Sequence, residues 1–132
     1  MIGIKIQGRQ TTNAPIPIGT YSQAIQFEKT IYISGQIPVN PKTGELIQGD
    51  FKAQIRQVFN NISEIAKTSG HGINDCLKLT IYITDLKHFN DINDVMKLYF
   101  TEPYPARAVI EVKALPKNAA VEIEAIIGSS QL

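Results

Sequence analysis

The feature that most constrains the fold is a change of hydrophobic period on either side of residues 76–84. Within CLKLTIYIT, apolar and polar side chains alternate strictly, which is typical of a β-strand with one buried face. The segments before and after it repeat their apolar residues every three to four positions, as amphipathic helices do. Asp50 and Asp85 precede these segments as suitable N-caps, and Gly70 and Pro103 are suitable stops. The sequence therefore predicts helix, strand and helix in succession.

Further strands are predicted on both sides of this unit. The candidates are residues 3–8, 22–28, 30–36, 106–114 and 121–127. Helices and hairpins in this order predict an α+β fold in which both helices cover the same face of a mixed sheet. With 132 residues, 43% of them hydrophobic, the chain is expected to form a single domain over residues 1–132.

The second face of this sheet is predicted to carry an unusual mixture of apolar, hydroxyl and charged side chains. Its members are Lys78, Thr80, Tyr82, Arg107, Val109, Glu111, Glu122, Glu124 and Ile126. The mixture is too apolar for a surface in water and too charged for a core. We therefore expect another copy of the protein to cover this face, with polar groups paired across the contact.

Composition excludes several classes of function. The formal net charge is only +1 and the basic residues are scattered, which argues against binding to a nucleic-acid backbone. No apolar run approaches the roughly 20 residues needed to cross a bilayer, and the first residues lack the apolar core of a signal peptide. Cys76 is the single cysteine, so no internal disulfide is possible and a cytoplasmic location is expected.

The sequence offers little for metal binding. Cys76, His71 and His88 lie far apart, and zinc requires three or four ligands at recurring spacings, so no metal site is expected. Cys76 is interpreted as a small buried hydrophobic residue at the start of a strand. His71, between two glycines, is interpreted as a solvated loop residue.

Arg107 calls for an explanation because it begins a predicted strand rich in apolar residues. A guanidinium binds a carboxylate through two parallel hydrogen bonds, so an arginine in a pocket can hold a small organic acid. The alternative is an ordinary cross-strand pair with a strand glutamate, worth at most about 1 kcal/mol at a surface. Asn93 is a second anomaly, since it falls on the apolar stripe of the second helix and needs a hydrogen-bond partner.

Three segments resemble the RidA/YjgF-like reactive intermediate deaminases. They are SGQIPVNPKTGE (34–45), PARAVIEV (105–112) and LPKNAAVEIEAI (115–126), and the resemblance runs in the same order from IGTYSQA (18–24) to the end of the chain. It implies a fold like that of small chorismate mutases, with three subunits joined through their sheets and active sites between subunits. The implied activity is hydrolysis of short 2-enamine and 2-imine acids, such as 2-aminoacrylate, to 2-keto acids and ammonia. No metal or organic cofactor is implied.

The resemblance also implies roles for individual residues. Arg107 matches the arginine that holds the substrate carboxylate, and Glu122 matches the acidic residue that positions the attacking water. Tyr21 matches the aromatic residue that closes the pocket from the neighbouring subunit. Val109 stands where many members have cysteine, so it would offer only its backbone carbonyl to the pocket. The remaining positions that match the pocket lining are Ser34, Gly35 and Asn93.

Two other hypotheses remain at this point. One is a non-catalytic trimer that binds 2-keto acids as a sensor, which would need Arg107 but not the water-activating Glu122. The other is RNA cleavage, which the near-neutral charge and the lack of an aromatic and basic surface pattern disfavour. The sequence also leaves open whether Glu122 or Glu124 faces the pocket. The preferred imine is equally open, because the loop 101–105 is shorter than in many members.

Overall fold

The computed structural model describes residues 6–128, which fold into a six-stranded sheet and two α-helices. The strands are β1 (Ile6–Arg9), β2 (Ala24–Phe27), β3 (Thr30–Gln36), β4 (Cys76–Ile83), β5 (Ala106–Glu111) and β6 (Val121–Gly128), and the helices are α1 (Phe51–Lys67) and α2 (Phe89–Tyr99). In the sheet order β1-β2-β3-β6-β4-β5, β4 and β5 are parallel and all other neighbours are antiparallel. The prediction of two helices on a mixed sheet is confirmed.

Both helices are preceded by the aspartates that the sequence indicates. Asp50 accepts a hydrogen bond of 2.8 Å from the Ala53 N–H and satisfies one of the free donors in the first turn of α1. Asp85 instead caps a short 3₁₀ turn at residues 86–88, accepting from the Lys87 N–H at 3.0 Å, and α2 follows this turn. After α1, Gly70 has φ +78°, a left-handed conformation that favours glycine. Local capping chemistry thus sets where both helical segments begin.

The hydrophobic core lies between the two helices and one face of the sheet. Its largest fully buried apolar side chains are Phe59, Ile31, Ile55, Ile62, Ile65, Leu79, Ile81, Ile83, Ile92, Ile123 and Ile127. Phe59 of α1 joins the helices, since its ring centroid lies 5.3 Å from the centroids of both Tyr99 and Phe100. Burial of this apolar surface is the main stabilising contribution to folding. It also decides which face of the sheet is covered.

Neither α1 nor α2 packs on the opposite face of the sheet. Cross-strand pairing puts Tyr82 beside Glu122 on this face. Apolar side chains are exposed there as well, with Tyr32 47% and Ile110 43% exposed. The predicted mixture of polar and apolar groups is therefore present, although its membership differs on β5.

The prediction that Arg107, Val109 and Glu111 lie on the uncovered face is wrong. In the parallel pairing of β4 with β5, Arg107 lies beside Leu79 and Val109 beside Ile81, and both partners are fully buried under the helices. Directly paired residues point to the same side of a sheet, so Arg107, Val109 and Glu111 lie on the helix-covered side. The helix side accommodates these polar residues because β5 is an edge strand. There Arg107 bonds to Asn93, and Glu111 bonds to the Leu86 N–H.

Smaller differences from the sequence predictions are local. β5 ends at Glu111, and the first predicted strand, residues 3–8, lies partly outside the described residues. His71 is only 8% exposed, which contradicts its interpretation as a solvated residue, and its Nδ1 lies 3.5 Å from Asp75 Oδ2. Cys76 is buried as predicted, and burial raises the pKa of its thiol to about 12. Neither α1 nor α2 combines the length and the apolar character that a membrane span requires.

Candidate functional site

The predicted site residues lie in two separate cavities. The first, which we call the arginine cavity, has a volume of about 350 Å³ and is lined by Asn93, Met96, Lys97, Tyr104, Pro105 and Arg107. The second, which we call the glutamate cavity, has a volume of about 410 Å³ and is lined by Ile18, Tyr21, Ser34, Gly35, Ile37, Pro116, Lys117 and Glu122. Each cavity is large enough for a small organic acid, and each contains only part of the predicted set.

Arg107 is held in the arginine cavity by side chains of α2. Its Nη1 donates a hydrogen bond of 2.7 Å to Asn93 Oδ1 and lies 3.4 Å from Met96 Sδ. The guanidinium carbon is 5.3 Å from the centroid of the Phe89 ring, a favourable arrangement of a cation over an aromatic face. Asn93 thereby has the partner that its place on the apolar stripe requires. These contacts fix the direction of the guanidinium.

Arg107 forms no ion pair with any carboxylate of residues 6–128. Glu111, on the same side of β5, instead accepts a hydrogen bond of 2.9 Å from the Leu86 N–H. The alternative of a cross-strand arginine–glutamate pair is therefore wrong for Glu111. A guanidinium carries five N–H donors, and most of those on Arg107 remain available to an external anion.

Glu122 of β6 lies directly over Gly35 of β3 in the glutamate cavity. A Cβ atom at position 35 would overlap the Glu122 carboxylate, and it would lie 2.9 Å from Cδ. Burial raises the pKa of Glu122, and the negative charge of Glu124 raises it further. A carboxyl group whose pKa is raised above its ordinary value is a stronger base when ionised, which suits it to accepting a proton from water. The glutamate cavity therefore contains a candidate acid–base group.

Glu124 has a different environment from Glu122, although both lie on the same side of β6. It is exposed and accepts a hydrogen bond of 2.8 Å from the Tyr82 hydroxyl. It does not line the glutamate cavity. Of the two glutamates between which the sequence could not decide, Glu122 is the one at the cavity.

The rim of the glutamate cavity is built by the segment before β2. The Ser34 hydroxyl donates a hydrogen bond of 2.5 Å to the Ser22 carbonyl, and the Ser34 N–H donates to the Gln23 carbonyl at 3.1 Å. The buried Gln23 side chain in turn binds two carbonyls of the preceding loop. These bonds place Tyr21, which is 50% exposed, beside Ile18, which is 80% exposed. Ser34 thus acts within this chain as a support for the rim.

The arginine and glutamate cavities cannot serve one small molecule within a single subunit. β4 lies between β5 and β6, so two strand spacings, about 10 Å, separate Arg107 from β6 across the sheet. The two side chains also point to opposite faces, since Arg107 contacts α2 while Glu122 lies on the uncovered side. A site that uses both residues requires two copies of the chain.

Sequence reasoning missed several residues of the two cavities. Lys97 lies four positions after Asn93, and this helical spacing could have identified it. Lys117 lies at the rim of the glutamate cavity and donates to the Gly44 carbonyl at 3.0 Å; its left-handed backbone, φ 55°, leaves no sequence signal.

Val109, which was predicted to line the pocket, packs beside the hydrophobic core and lines neither cavity. Within residues 6–128 no cluster of three or more potential ligands could hold a metal ion.

Comparison with known proteins places these features in a family. The family model described as Endoribonuclease L-PSP matches residues 11–128. A RutC family protein of Pyrococcus horikoshii is 50% identical over 116 residues, which cover 88% of this chain and 92% of that protein. The 2-iminobutanoate/2-iminopropanoate deaminase of Mus musculus is 44% identical over 116 residues, which cover 88% of this chain and 86% of that protein.

A solved structure is similar to this chain in both sequence and fold. RidA from the Antarctic bacterium Psychrobacter sp. PAMC 21119 is similar with a TM-score of 0.90 and 48% sequence identity, over 93% of this chain and 99% of that chain. The matched residues 11–128 contain the lining of both cavities. The chain belongs to the RidA/YjgF/RutC family.

Proposed function

We propose that the protein is a cofactor-free hydrolase that converts short 2-imine and 2-enamine acids, such as 2-aminoacrylate, into 2-keto acids and ammonia. The observation that carries the proposal is the Arg107 guanidinium, which is fixed by Asn93 in a cavity and has no carboxylate partner among the residues described. Such a group is suited to the carboxylate of a small acid. A relative at 44% identity that is named a 2-iminobutanoate/2-iminopropanoate deaminase supports the reaction type.

The proposed reaction is a balanced hydrolysis. An enamine first takes a proton from solvent at its β-carbon and so becomes the protonated imine. Water then adds to the imine carbon and gives one proton to the Glu122 carboxylate, which passes that proton to the nitrogen. The carbon–nitrogen bond breaks, the hydroxyl proton leaves with the nitrogen as ammonium, and the oxygen from water becomes the keto oxygen. Because a protonated imine is already electrophilic, orientation by Arg107 and one proton-accepting group are enough. Glu122 fits this role because its pKa is raised, which makes its carboxylate a stronger base than an ordinary glutamate.

We place the reaction between two subunits of a homotrimer. Two observations support this placement: Arg107 and Glu122 point to opposite faces of the sheet, and the uncovered face exposes apolar side chains such as Tyr32 and Ile110. In this arrangement Arg107 of one subunit faces Glu122 and Tyr21 of its neighbour. The threefold symmetry itself is the one that the family resemblance implies.

The proposal is tested by following an imine generated during the assay. A serine dehydratase releases 2-aminoacrylate from serine, and the decay of the imine is recorded by absorbance with wild type, Arg107→Ala and Glu122→Gln. We expect wild type to accelerate the decay. Arg107→Ala should lower kcat/KM about 100-fold or more, and Glu122→Gln should lower mainly kcat. Lys113→Ala, at an exposed position that lines neither cavity, is the matched control and should behave as wild type.

Other outcomes would contradict the proposal. If wild type leaves the decay unchanged but binds pyruvate through Arg107, the protein is a metabolite-binding module and the enzymatic assignment is wrong. If Arg107→Ala keeps full activity, the carboxylate-binding role is wrong. Circular dichroism and sedimentation of each variant check that fold and assembly are retained, so that a lost activity can be assigned to the site.

A further inference from the structure

The arginine cavity contains a second cation, Lys97, in addition to Arg107. The other lining residues are Asn93, Met96, Tyr104 and Pro105, so no acidic side chain lines the cavity. Lys97 is exposed and forms no ion pair with the described residues. Two positive charges therefore border one cavity without a carboxylate between them. Like charges in a shared cavity repel each other, and an anionic ligand relieves this repulsion.

The geometry of α2 places Lys97 close to Arg107. Asn93 and Lys97 are four residues apart, so their Cβ atoms lie about 6 Å apart on the same side of the helix. Asn93 Oδ1 is itself 2.7 Å from Arg107 Nη1, so the guanidinium lies on the side of α2 that carries Asn93, and Lys97 lines the same cavity. The neighbouring carboxylate of Asp94 is 3.1 Å from Lys52 and is already paired. The Lys97 ammonium thus remains available to a ligand in the cavity.

We propose that Lys97 determines specificity for imine acids that carry a second carboxylate in the side chain, as those formed from aspartate or glutamate do. The inference rests on the proposed function and names its substrate class. Arg107 would hold the carboxylate next to the imine carbon, and Lys97 would hold the one in the side chain. The two carboxylates of a four- or five-carbon diacid are separated by a distance similar to one helical turn, about 5.4 Å. Hydrolysis then proceeds as for the short imines and yields a 2-keto diacid and ammonium.

The other residues that line the arginine cavity suit such a side chain. Met96 Sδ lies 3.4 Å from Arg107 Nη1, so the thioether borders the guanidinium and offers an apolar surface to methylene groups. Tyr104, which is 49% exposed, lines the same cavity and adds a hydroxyl donor. A lysine in the last turn of a helix also interacts favourably with the helix dipole. The test must therefore measure substrate preference and not stability alone.

The experiment compares two classes of imine with one set of variants. Amino-acid oxidases generate the imines of alanine and aspartate during the assay, catalase removes peroxide, and semicarbazide traps the imine that the protein has not hydrolysed. Lys97→Met should lower kcat/KM for the aspartate-derived imine about tenfold or more, mainly through KM, and change the alanine-derived imine less than about twofold. Lys97→Arg, which keeps the charge, should retain the preference. Lys113→Met is the matched control for loss of an exposed lysine.

A binding measurement separates the substrate proposal from the catalytic one. Calorimetric titration with 2-oxoglutarate and with 2-oxobutyrate should show a loss of affinity only for the diacid in Lys97→Met. If Lys97→Met affects neither class of ligand, or both equally, the role of Lys97 is refuted while the deaminase proposal stands. If wild type fails to hydrolyse the alanine-derived imine but binds the diacid through Lys97, the proposed function fails and the diacid site remains.

Discussion

Gly35 and Glu122 show how the absence of one side chain positions a carboxylate. The Glu122 carboxyl group occupies the space in which any larger residue at position 35 would place its Cβ. The backbone of Gly35 is not left-handed, so glycine is required here for space and not for conformational freedom. Family resemblance identifies Gly35 only as part of the pocket lining. The structure adds the physical reason for its size.

Gly35→Ala should therefore displace Glu122 without disturbing Arg107. We expect kcat to fall about tenfold or more, because a misplaced base loses its orientation towards water, while KM changes little. Gly8→Ala is the matched control, since a Cβ at that position meets no atom within 4 Å. Steady-state kinetics of the two variants would contradict the positioning role if Gly35→Ala retained the wild-type kcat.

The raised pKa of Glu122 predicts how the activity depends on pH. If the Glu122 carboxylate is the base, as we propose, kcat/KM should fall as pH drops through the Glu122 pKa, which lies above the ordinary value of 4.5. Glu124→Gln removes the smaller of the two causes of this shift, and the acidic limb of the pH profile should move to lower pH. It should not reach the ordinary value, because burial, the larger cause, remains. An unmoved limb, after subtraction of the uncatalysed rate, would show that Glu124 does not act on Glu122.

At the scale of helices and strands, features with a local cause could be predicted from the sequence. The alternation in residues 76–84 matches β4, and Asp50 is the N-cap of α1. The facing of β5 could not be predicted. Alternation establishes that Arg107 and Val109 share a side, but which side meets the helices depends on register, and a shift of one residue reverses every side chain. The other side of β5 carries more apolar residues, so the sequence pattern favours that side as the one that faces the core.

The sequence likewise predicts only part of the candidate site. Sequence motifs identified Arg107, Glu122 and Asn93, but not their division between two cavities, because that division follows from the pairing of β5 with β4. Lys117 has no sequence signal because a turn, and not a periodic pattern, places it at the cavity. Motifs thus recover chemical groups that recur in a family, whereas distances across the sheet require the tertiary structure.

The N-cap of α1 can be tested directly. Asp50→Ala removes the hydrogen bond to the Ala53 N–H and should lower the free energy of unfolding by about 1 kcal/mol. Asp50→Asn keeps an oxygen acceptor and should lose much less. Urea denaturation at one fixed protein concentration measures both, and equal losses for the two variants would contradict the capping role. Deaminase activity well below the unfolding transition should not change.

At the scale of the whole molecule, the two cavities on opposite faces of the sheet allow a test of whether one site is shared between subunits. If each site takes Arg107 from one subunit and Glu122 from its neighbour, co-expressed Arg107→Ala and Glu122→Gln chains should regain activity that neither has alone. Random mixing in equal amounts should restore about a quarter of wild-type activity, because each of the two required neighbours is present half of the time. Each variant expressed alone is the control. Mixed assemblies, verified by two affinity tags, that stay inactive would contradict a shared site.

The burial of Cys76 predicts how the protein responds to thiol reagents. Cys76 is the single cysteine of the chain, it is 8% exposed, and the pKa of its thiol is raised to about 12. Since the thiolate is the reactive form, almost none of it is present near neutral pH. Iodoacetamide should therefore leave the activity unchanged, and mass spectrometry should find no alkylated cysteine; inactivation together with one added alkyl group would contradict this. Such a protein would continue to remove reactive imines where electrophiles inactivate enzymes that carry exposed thiols.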